Sequence, residues 1–265
     1  MSDTPASLVE YNRTDAIVTL TLNRPDKLNA FSDELVGALA DGLRRFDIDA
    51  EARVAIIRGR GRAFSSGADV QQRQLRRREE FEALGGPQGW GTNSFDLLTR
   101  AVNWKPVIAA AHGYVLGLAV GIVFDCDLIV AETNTKFQIT ETSRGLGGAK
   151  YWAALSHRGG GAFANEVALT GRFFTAEEAA AHNLINRVAP EGMVLPVAME
   201  LAREVAANPP LSVRSTVRVR RWQMAQHTRE VINMTAGEKL YLTEDFHEAA
   251  RAFAEKRKPA PFKGR

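Results

Sequence analysis

Between Val107 and Asp127 the chain is apolar at almost every position, with only His112 and Tyr114 interrupting before Asp125. A run of that kind either crosses a membrane or lies in a protein core. Crossing takes roughly 18–20 uninterrupted apolar residues, and Gly113, Gly117, His112 and Tyr114 break this run too early. The spacing instead predicts a buried strand over 107–112, a turn through Gly113 and Gly117, and a buried helix from about 117 to 125. The first N–H groups of such a helix have no intrahelical acceptor, so they favour negative charge at the turn.

With 265 residues, 45% of them hydrophobic, the chain is long enough for one large domain, or one and a half, with a sizeable core. No charged N-terminal stretch leads into an apolar segment, so no secretory leader is expected. Cys126 is the single cysteine and lies in an apolar context, which fits a reducing, cytoplasmic setting. The five histidines are scattered without metal-ligand spacing, so no metal is expected. A formal charge of +3 suits an anionic small molecule and is too mild to argue for nucleic acid.

Residues 16–22 alternate, with Val18, Leu20 and Leu22 on one face, and read as a strand. Ser32 reads as an N-cap, with Asp33 and Glu34 in the first turn, opening an amphipathic helix over 33–48. A second buried strand covers 54–58, and strand connections look too long for hairpins. Small residues dominate from Gly59 to Ala68, so backbone can approach a ligand closely there. From 70 to 91 we expect a polar helix and a flexible loop, and over 93–104 helical spacing again. Short strands are expected at 127–131 and 135–138, with Glu141 just after the second. Helices follow around Tyr151, Trp152 and Leu155 and over 163–170. Thr175 and Glu178 form a capping box on a helix that ends at Asn183. The segments 196–207, 212–229 and 233–256 are helical by period, so the last fifth of the chain shifts to all helix.

Three stretches together resemble the enoyl-CoA hydratase/isomerase, or crotonase, superfamily. They are Asn23-Arg24-Pro25 with Asn29-Ala30, Ala63 through Asp69, and Lys105 through Ala110 with Gly113-Tyr114. Leu169 through Arg172 with Glu178-Ala179, and the tail from Phe253 to Lys258, match as well, in the family order. The resemblance implies an α/β spiral of strand–strand–helix turns over 1–195, and a helical C-terminal region over 196–265 that builds trimers or dimers of trimers. It implies an acyl-CoA thioester substrate, no cofactor beyond that coenzyme A, and an oxyanion hole of two backbone N–H groups. Those donors fall on Ala68 and Leu118, and the acid/base carboxylate falls on Glu141. Asp69, Val70 and Gln71 match further substrate-contacting positions. Lys27 and Leu28 match a segment near the nucleotide of CoA, and Phe253 and Lys256 one near its adenine-ribose end, sometimes from a neighbouring subunit.

Two positions depart from the family pattern. Leu118 stands where glycine is usual, which implies a different acyl pocket. Gly121 stands where hydratases carry their first glutamate, leaving Glu141 as the one carboxylate. The reading is therefore a hydratase-like lyase that adds or removes water. Single-carboxylate isomerase, decarboxylase or C–C hydrolase chemistry is the alternative, as is a non-catalytic CoA- or RNA-binding member. Arg144 and Lys150 are candidates for an anionic acyl group or for CoA phosphates. His112 reads as core, Tyr151 and Trp152 as core with the acyl pocket as the alternative, and Asp125 and Asp127 as structural ion-pair or capping residues. The arginines at 73–78 read as a surface run neutralised by Glu79 and Glu80. Arg214, Arg218 and Arg221 read as one exposed helical face or a trimer contact, so RNA binding is not expected.

Overall fold

The computed structural model describes residues 7–87, 97, 98 and 100–265. The chain enters on a hairpin, β1 (Val9–Thr14) and β2 (Ile17–Leu22), then passes through α1 (Asp33–Ile48) to β3 (Val54–Gly59). Two short helices follow, α2 (Val70–Arg73) and α3 (Arg78–Leu84). Next come β4 (Val107–Ala111), β5 (Tyr114–Leu116), α4 (Leu118–Asp125), β6 (Leu128–Glu132) and β7 (Lys136–Gln138). They lead into α5 (Ala149–Arg158), α6 (Gly161–Thr170), β8 (Phe173–Thr175), α7 (Ala176–Ala181) and β9 (Arg187–Ala189). Helices α8 (Val194–Ala206), α9 (Pro210–Thr235) and α10 (Glu244–Ala254) complete the described chain.

The main sheet has the order β1-β2-β3-β4-β6-β9, antiparallel only between β1 and β2. Both faces are covered, which is why β4 is apolar throughout rather than alternating. Its residues Val107, Ala109 and Ala111 join the larger core with α1 and α4, while Ile108 and Ala110 face Ala198, Leu201 and Ala202 of α8. A second sheet has the order β5-β7-β8. It is prolonged by single bridges between Ser65 and Val115 and between Phe31 and Ala68. Each turn of the chain thus gives one strand to the main sheet, one extended segment to the second, and then a helix. This is the strand–strand–helix spiral that the resemblance implied.

Local signals account for many of the boundaries. Ser32 Oγ accepts the Leu35 N–H at 3.2 Å and starts α1. Thr175 and Glu178 form the expected reciprocal box, and Asn183 takes the left-handed conformation after α7 with φ of +58°. Four expectations need correction. The connection between β1 and β2 is a tight turn at Asp15-Ala16, because 9–14 form an edge strand with a polar outer face. The polar helix after Val70 is two helices, α2 and α3. Of the segment 93–104, residues 93–96 and 99 lie outside the described residues, and 100–104 are not helical. The segment 233–256 is not one helix: α9 runs on to Thr235, Lys239 turns left-handed (φ +45°), and Thr243 caps α10 afresh. Gly237 and that left-handed lysine remove the helical backbone where period alone had carried it through.

The charged runs also fold differently. Arg73 and Arg76 both turn to Asp33, Arg77 pairs with Glu80, and Arg78 with Glu82. Arg221 is buried, its guanidinium on Asp127 and on the Leu98 and Lys105 carbonyls. Asp127 also takes Arg220 and the Val107 N–H, at 3.2 and 2.8 Å. It therefore ties α9 to the starts of β4 and β6, in keeping with the structural role read for it. His112 bonds the Gly61 carbonyl at 2.9 Å, also a structural contact.

Candidate functional site

Two chain crossings build the site. At the first, Ser65 pairs with β5: its N–H donates to Tyr114 O and its carbonyl accepts the Leu116 N–H, both at 3.1 Å. Gly67 then passes so close that a Cβ on it would lie 2.5 Å from Leu116 O and 3.6 Å from Leu118 N. Gly67 N–H donates to Ser65 Oγ and Asp69 N–H to Phe31 O. The peptide of Ala68 lies between these anchored neighbours, beside the start of α4. The Leu118 N–H is the first of that helix and has no acceptor within it. Ala68 and Leu118 thus line the same cavity, each offering a backbone N–H.

At the second crossing β5 and β7 run parallel, with Leu116 opposite Gln138, and Gly117 N–H donates to Gln138 O at 2.9 Å. That register brings Glu141 to the same helix start. A Cβ on Gly117 would lie 2.6 Å from Thr140 Oγ1 and 3.2 Å from Glu141 Oε1, and φ there is +49°. Only glycine fits. Burial pushes the Glu141 carboxyl up to about 7, against a hydrogen bond from Tyr151 and the nearby Arg144 guanidinium, which pull it down. Among the described residues Glu141 Oε2 has no hydrogen-bond partner. The Tyr151 phenol, raised further by its own burial and by Glu141, stays a neutral donor.

Ala68, Leu118 and Glu141 line one cavity of about 560 Å³ together with Arg73, Tyr151 and the end of α9 at Ile232, Thr235 and Ala236. A carboxylate beside two convergent N–H groups in such a cavity can move a proton next to a developing oxyanion.

The other expected site residues lie at varying distance from this centre. Lys27 and Leu28 do not line the cavity; they meet the loop that leads to Ala68, where Leu28 O accepts the Ser66 N–H at 2.9 Å. Asp69 is committed to the frame: it pairs with Arg24 at 2.6 Å and caps α2 through the Gln72 N–H. Arg24 is itself held by Asn29, whose amide also bonds the Arg60 and Ala63 carbonyls at 2.9 Å. The Asn-Arg-Pro and Asn-Ala motif thus braces the loop that presents Ala68. Val70 and Gln71 open α2 outside the cavity lining. Phe253 is half exposed and stacks under Arg144, 3.6 Å from its guanidinium carbon, while Lys256 is in the exposed turn after α10. Neither lines the cavity.

The family model for enoyl-CoA hydratase/isomerase matches residues 12–265. The chain belongs to that family. It is 36% identical over 252 residues to the mevalonyl-coenzyme A hydratase sidH of Aspergillus fumigatus, covering 93% of this chain and 91% of the relative. It is 31% identical over 265 residues to the 2,3-dehydroadipyl-CoA hydratase of Escherichia coli, covering 96% and 98%. Among solved structures, an enoyl-CoA hydratase from Mycobacterium avium subsp. paratuberculosis superposes with a TM-score of 0.79 at 26% identity, covering 98% of this chain and all of that one. As a member of the enoyl-CoA hydratase/isomerase family the chain is a hydratase-like enzyme of the hydro-lyase kind.

Within that family the departures now have a place. Leu118 is buried, its side chain in the core with Val120 and Ile122, which leaves its N–H at the helix start. Gly121 is buried in α4 and lends no side chain. Two cavity residues need their readings revised. Tyr151, read as core with the acyl pocket as the alternative, packs in the core and also lines the cavity, its hydroxyl on Glu141. Arg73 was hidden in a basic run. The signal that separates it is position, since only Arg73 of that run lies within α2 next to the Ala68 loop.

Proposed function

We propose that the enzyme adds water across the α,β double bond of a trans-2-enoyl-CoA thioester, and reverses it, with Glu141 as its one acid/base carboxylate. The observation that carries this reading is the convergence of the Leu118 helix start, the Ala68 loop and the Glu141 carboxylate in one cavity. In the hydration direction ionised Glu141 takes a proton from water as the water oxygen bonds to Cβ. The C=C electron pair moves into an enolate whose oxygen is held by the Ala68 and Leu118 N–H groups. Glu141 then returns the proton to Cα, giving the 3-hydroxyacyl thioester. The backbone donors polarise the thioester, so the step needs no resident cofactor, and loss of one such donor typically costs about 10²–10³ in rate.

The same reading assigns Lys27, Leu28, Asp69, Val70 and Gln71 to the edge of the CoA path. Phe253 and Lys256 serve the adenine-ribose end through assembly into trimers or hexamers by the region from 196 onward, in the cytoplasm. Exposed Leu211, Val219, Trp222 and Met234 on α9 favour such an assembly. No helix among the described residues is long and apolar enough to cross a membrane.

The test follows the conjugated enoyl-thioester absorbance over a panel of enoyl-CoAs, with products identified by mass. Wild type should add water, and Glu141→Gln should fall by about 10²–10⁴. If only Gly121→Glu adds water, the single-carboxylate hydratase is wrong and isomerisation or decarboxylation substrates come next.

A further inference from the structure

Glu141 sits on a turn that is held from two sides. The chain makes a single 3-10 turn over Thr142–Arg144, with Glu141 as its N-cap in helical conformation (φ −58°, ψ −51°). Arg144 N–H donates to Glu141 O at 3.0 Å and to Thr140 O at 3.1 Å, and Leu146 N–H returns to Glu141 O at 2.9 Å. On one side Thr142 Oγ1 donates to Ala168 O of α6 at 2.8 Å. On the other, Gly145 is left-handed (φ +70°) and passes α10 so closely that a Cβ on it would lie 2.8 Å from Phe246 N. The turn and α10 are therefore packed as one unit.

The same turn carries a cation. Residues three apart on a 3-10 turn fall on one side of it, so Arg144 accompanies Glu141. Its guanidinium carbon lies 3.6 Å from the centre of the Phe253 ring on α10. That ring face attracts the charge and restricts its swing. Burial works against the guanidinium charge, and Glu141 works for it; in return Arg144 pulls the Glu141 carboxyl down.

The other charged groups on the neighbouring elements have their own partners. On α10, Glu244 pairs with Lys263, Asp245 accepts the Lys263 and Gly264 N–H groups, and Glu248 pairs with Arg257. Arg251 bonds the His247 carbonyl, and the His247 ring faces Phe81. Glu166 of α6 pairs with Arg172. Tyr151 bonds Glu141 from α5, and Arg73, Lys150, Glu238 and Lys239 line the cavity around it. Arg144 differs from all of these in being tied to Glu141 by one turn of backbone.

We propose that Arg144 is a positioning residue for proton transfer by Glu141, and that α10 takes part in the reaction by fixing Arg144 under Phe253. The inference rests on the hydratase reading above and adds a residue that touches neither water nor thioester. Ionised Glu141 must take the water proton, so a fixed positive charge beside it favours the form that starts each turnover. The same charge disfavours the protonated form and so promotes return of the proton to Cα. Phe253 is half exposed, which leaves its outer face open to the adenine-ribose end of CoA.

The experiment reads kcat/KM for enoyl-CoA hydration from pH 5 to 9 in wild type, Arg144→Met, Arg144→Lys and Phe253→Ala. Arg144→Met should move the midpoint of the acid limb upward by about half to one pH unit. Its rate should therefore fall about threefold to tenfold at pH 6 and little at pH 9. Arg144→Lys should restore most of the wild-type midpoint, and Phe253→Ala should shift it in the same direction as Arg144→Met by less. A merely structural arginine would lower the rate by one factor at every pH and leave the midpoint in place, which overturns the proposal. The midpoint does not depend on the fraction of active protein, so partial misfolding leaves the test intact. Should Arg144→Met be inactive, Phe253→Ala decides, and an unmoved midpoint there overturns the role of α10. Hydration by wild type with no shift in any variant leaves the hydratase reading standing without this inference. No hydration by wild type at any pH overturns both.

Discussion

Glu141 combines a raised pKa with a buried carboxylate oxygen that no group among the described residues satisfies, and this gives stability a sign with pH. The folded carboxyl titrates near 7, above its ordinary 4.5. The fold therefore favours the protonated form. Its contribution is fully present below about 4.5 and is lost as pH rises through 7. Glu141→Gln should thus be more stable than wild type at pH 8, by up to about 3 kcal/mol, less whatever water in the cavity screens. At pH 4 the two should unfold alike. Urea denaturation at both values checks this; an equal difference at both would contradict it. Glu141 was legible because the strand–turn pattern before it and the family motif coincide on one residue. Arg73 and Arg221 were not. A run of arginines looks solvated in sequence, and nothing in one dimension shows that Asp33 or Asp127 stands across the fold to receive a guanidinium.

At the scale of elements, close approach of the β5–α4 turn to the Thr140-Glu141 segment decides the geometry. Gly117→Ala would force a Cβ to 2.6 Å from Thr140 Oγ1 in a left-handed backbone. We expect a loss of about 1–3 kcal/mol, with kcat falling further because Leu118 N–H and Glu141 move together. Urea unfolding and kcat measured on the same preparation separate the two effects. Asp127→Asn tests the tie between α9 and the sheet. It leaves the Arg221 guanidinium buried without its counter-charge, which typically costs about 3–5 kcal/mol. A change below about 1 kcal/mol in the urea midpoint analysis would show that the network does not hold α9. Helices with capping chemistry, such as α1 and α7, could be read from sequence. The three-residue strands β5, β7 and β8 carry too little period of their own. The break between α9 and α10 depends on one left-handed lysine that period does not register.

For the whole molecule, the six-stranded sheet buried on both faces gives a rigid frame, and the spiral delivers three separate chain segments to one point. The spiral was legible only through the family motifs, since periodicity alone supplies strands and helices but not their order in space. The end of α9 lines the cavity, so a proposed trimer built on α9 would also set the site's outer wall. Sedimentation equilibrium should return three or six times the 29.0 kDa chain mass. A fully active species of one chain would contradict that assembly.

The central claim is that one carboxylate, Glu141, carries both proton transfers of hydration. Its most direct test is the pH dependence of kcat/KM for enoyl-thioester hydration, wild type against Glu141→Gln. The ionised form must receive the water proton, so the wild-type rate should rise tenfold per pH unit below 7 and level off above it. In Glu141→Gln that limb should vanish together with most of the rate. A wild-type profile flat from pH 5 to 9, or the same limb surviving in Glu141→Gln, would assign the proton to another group.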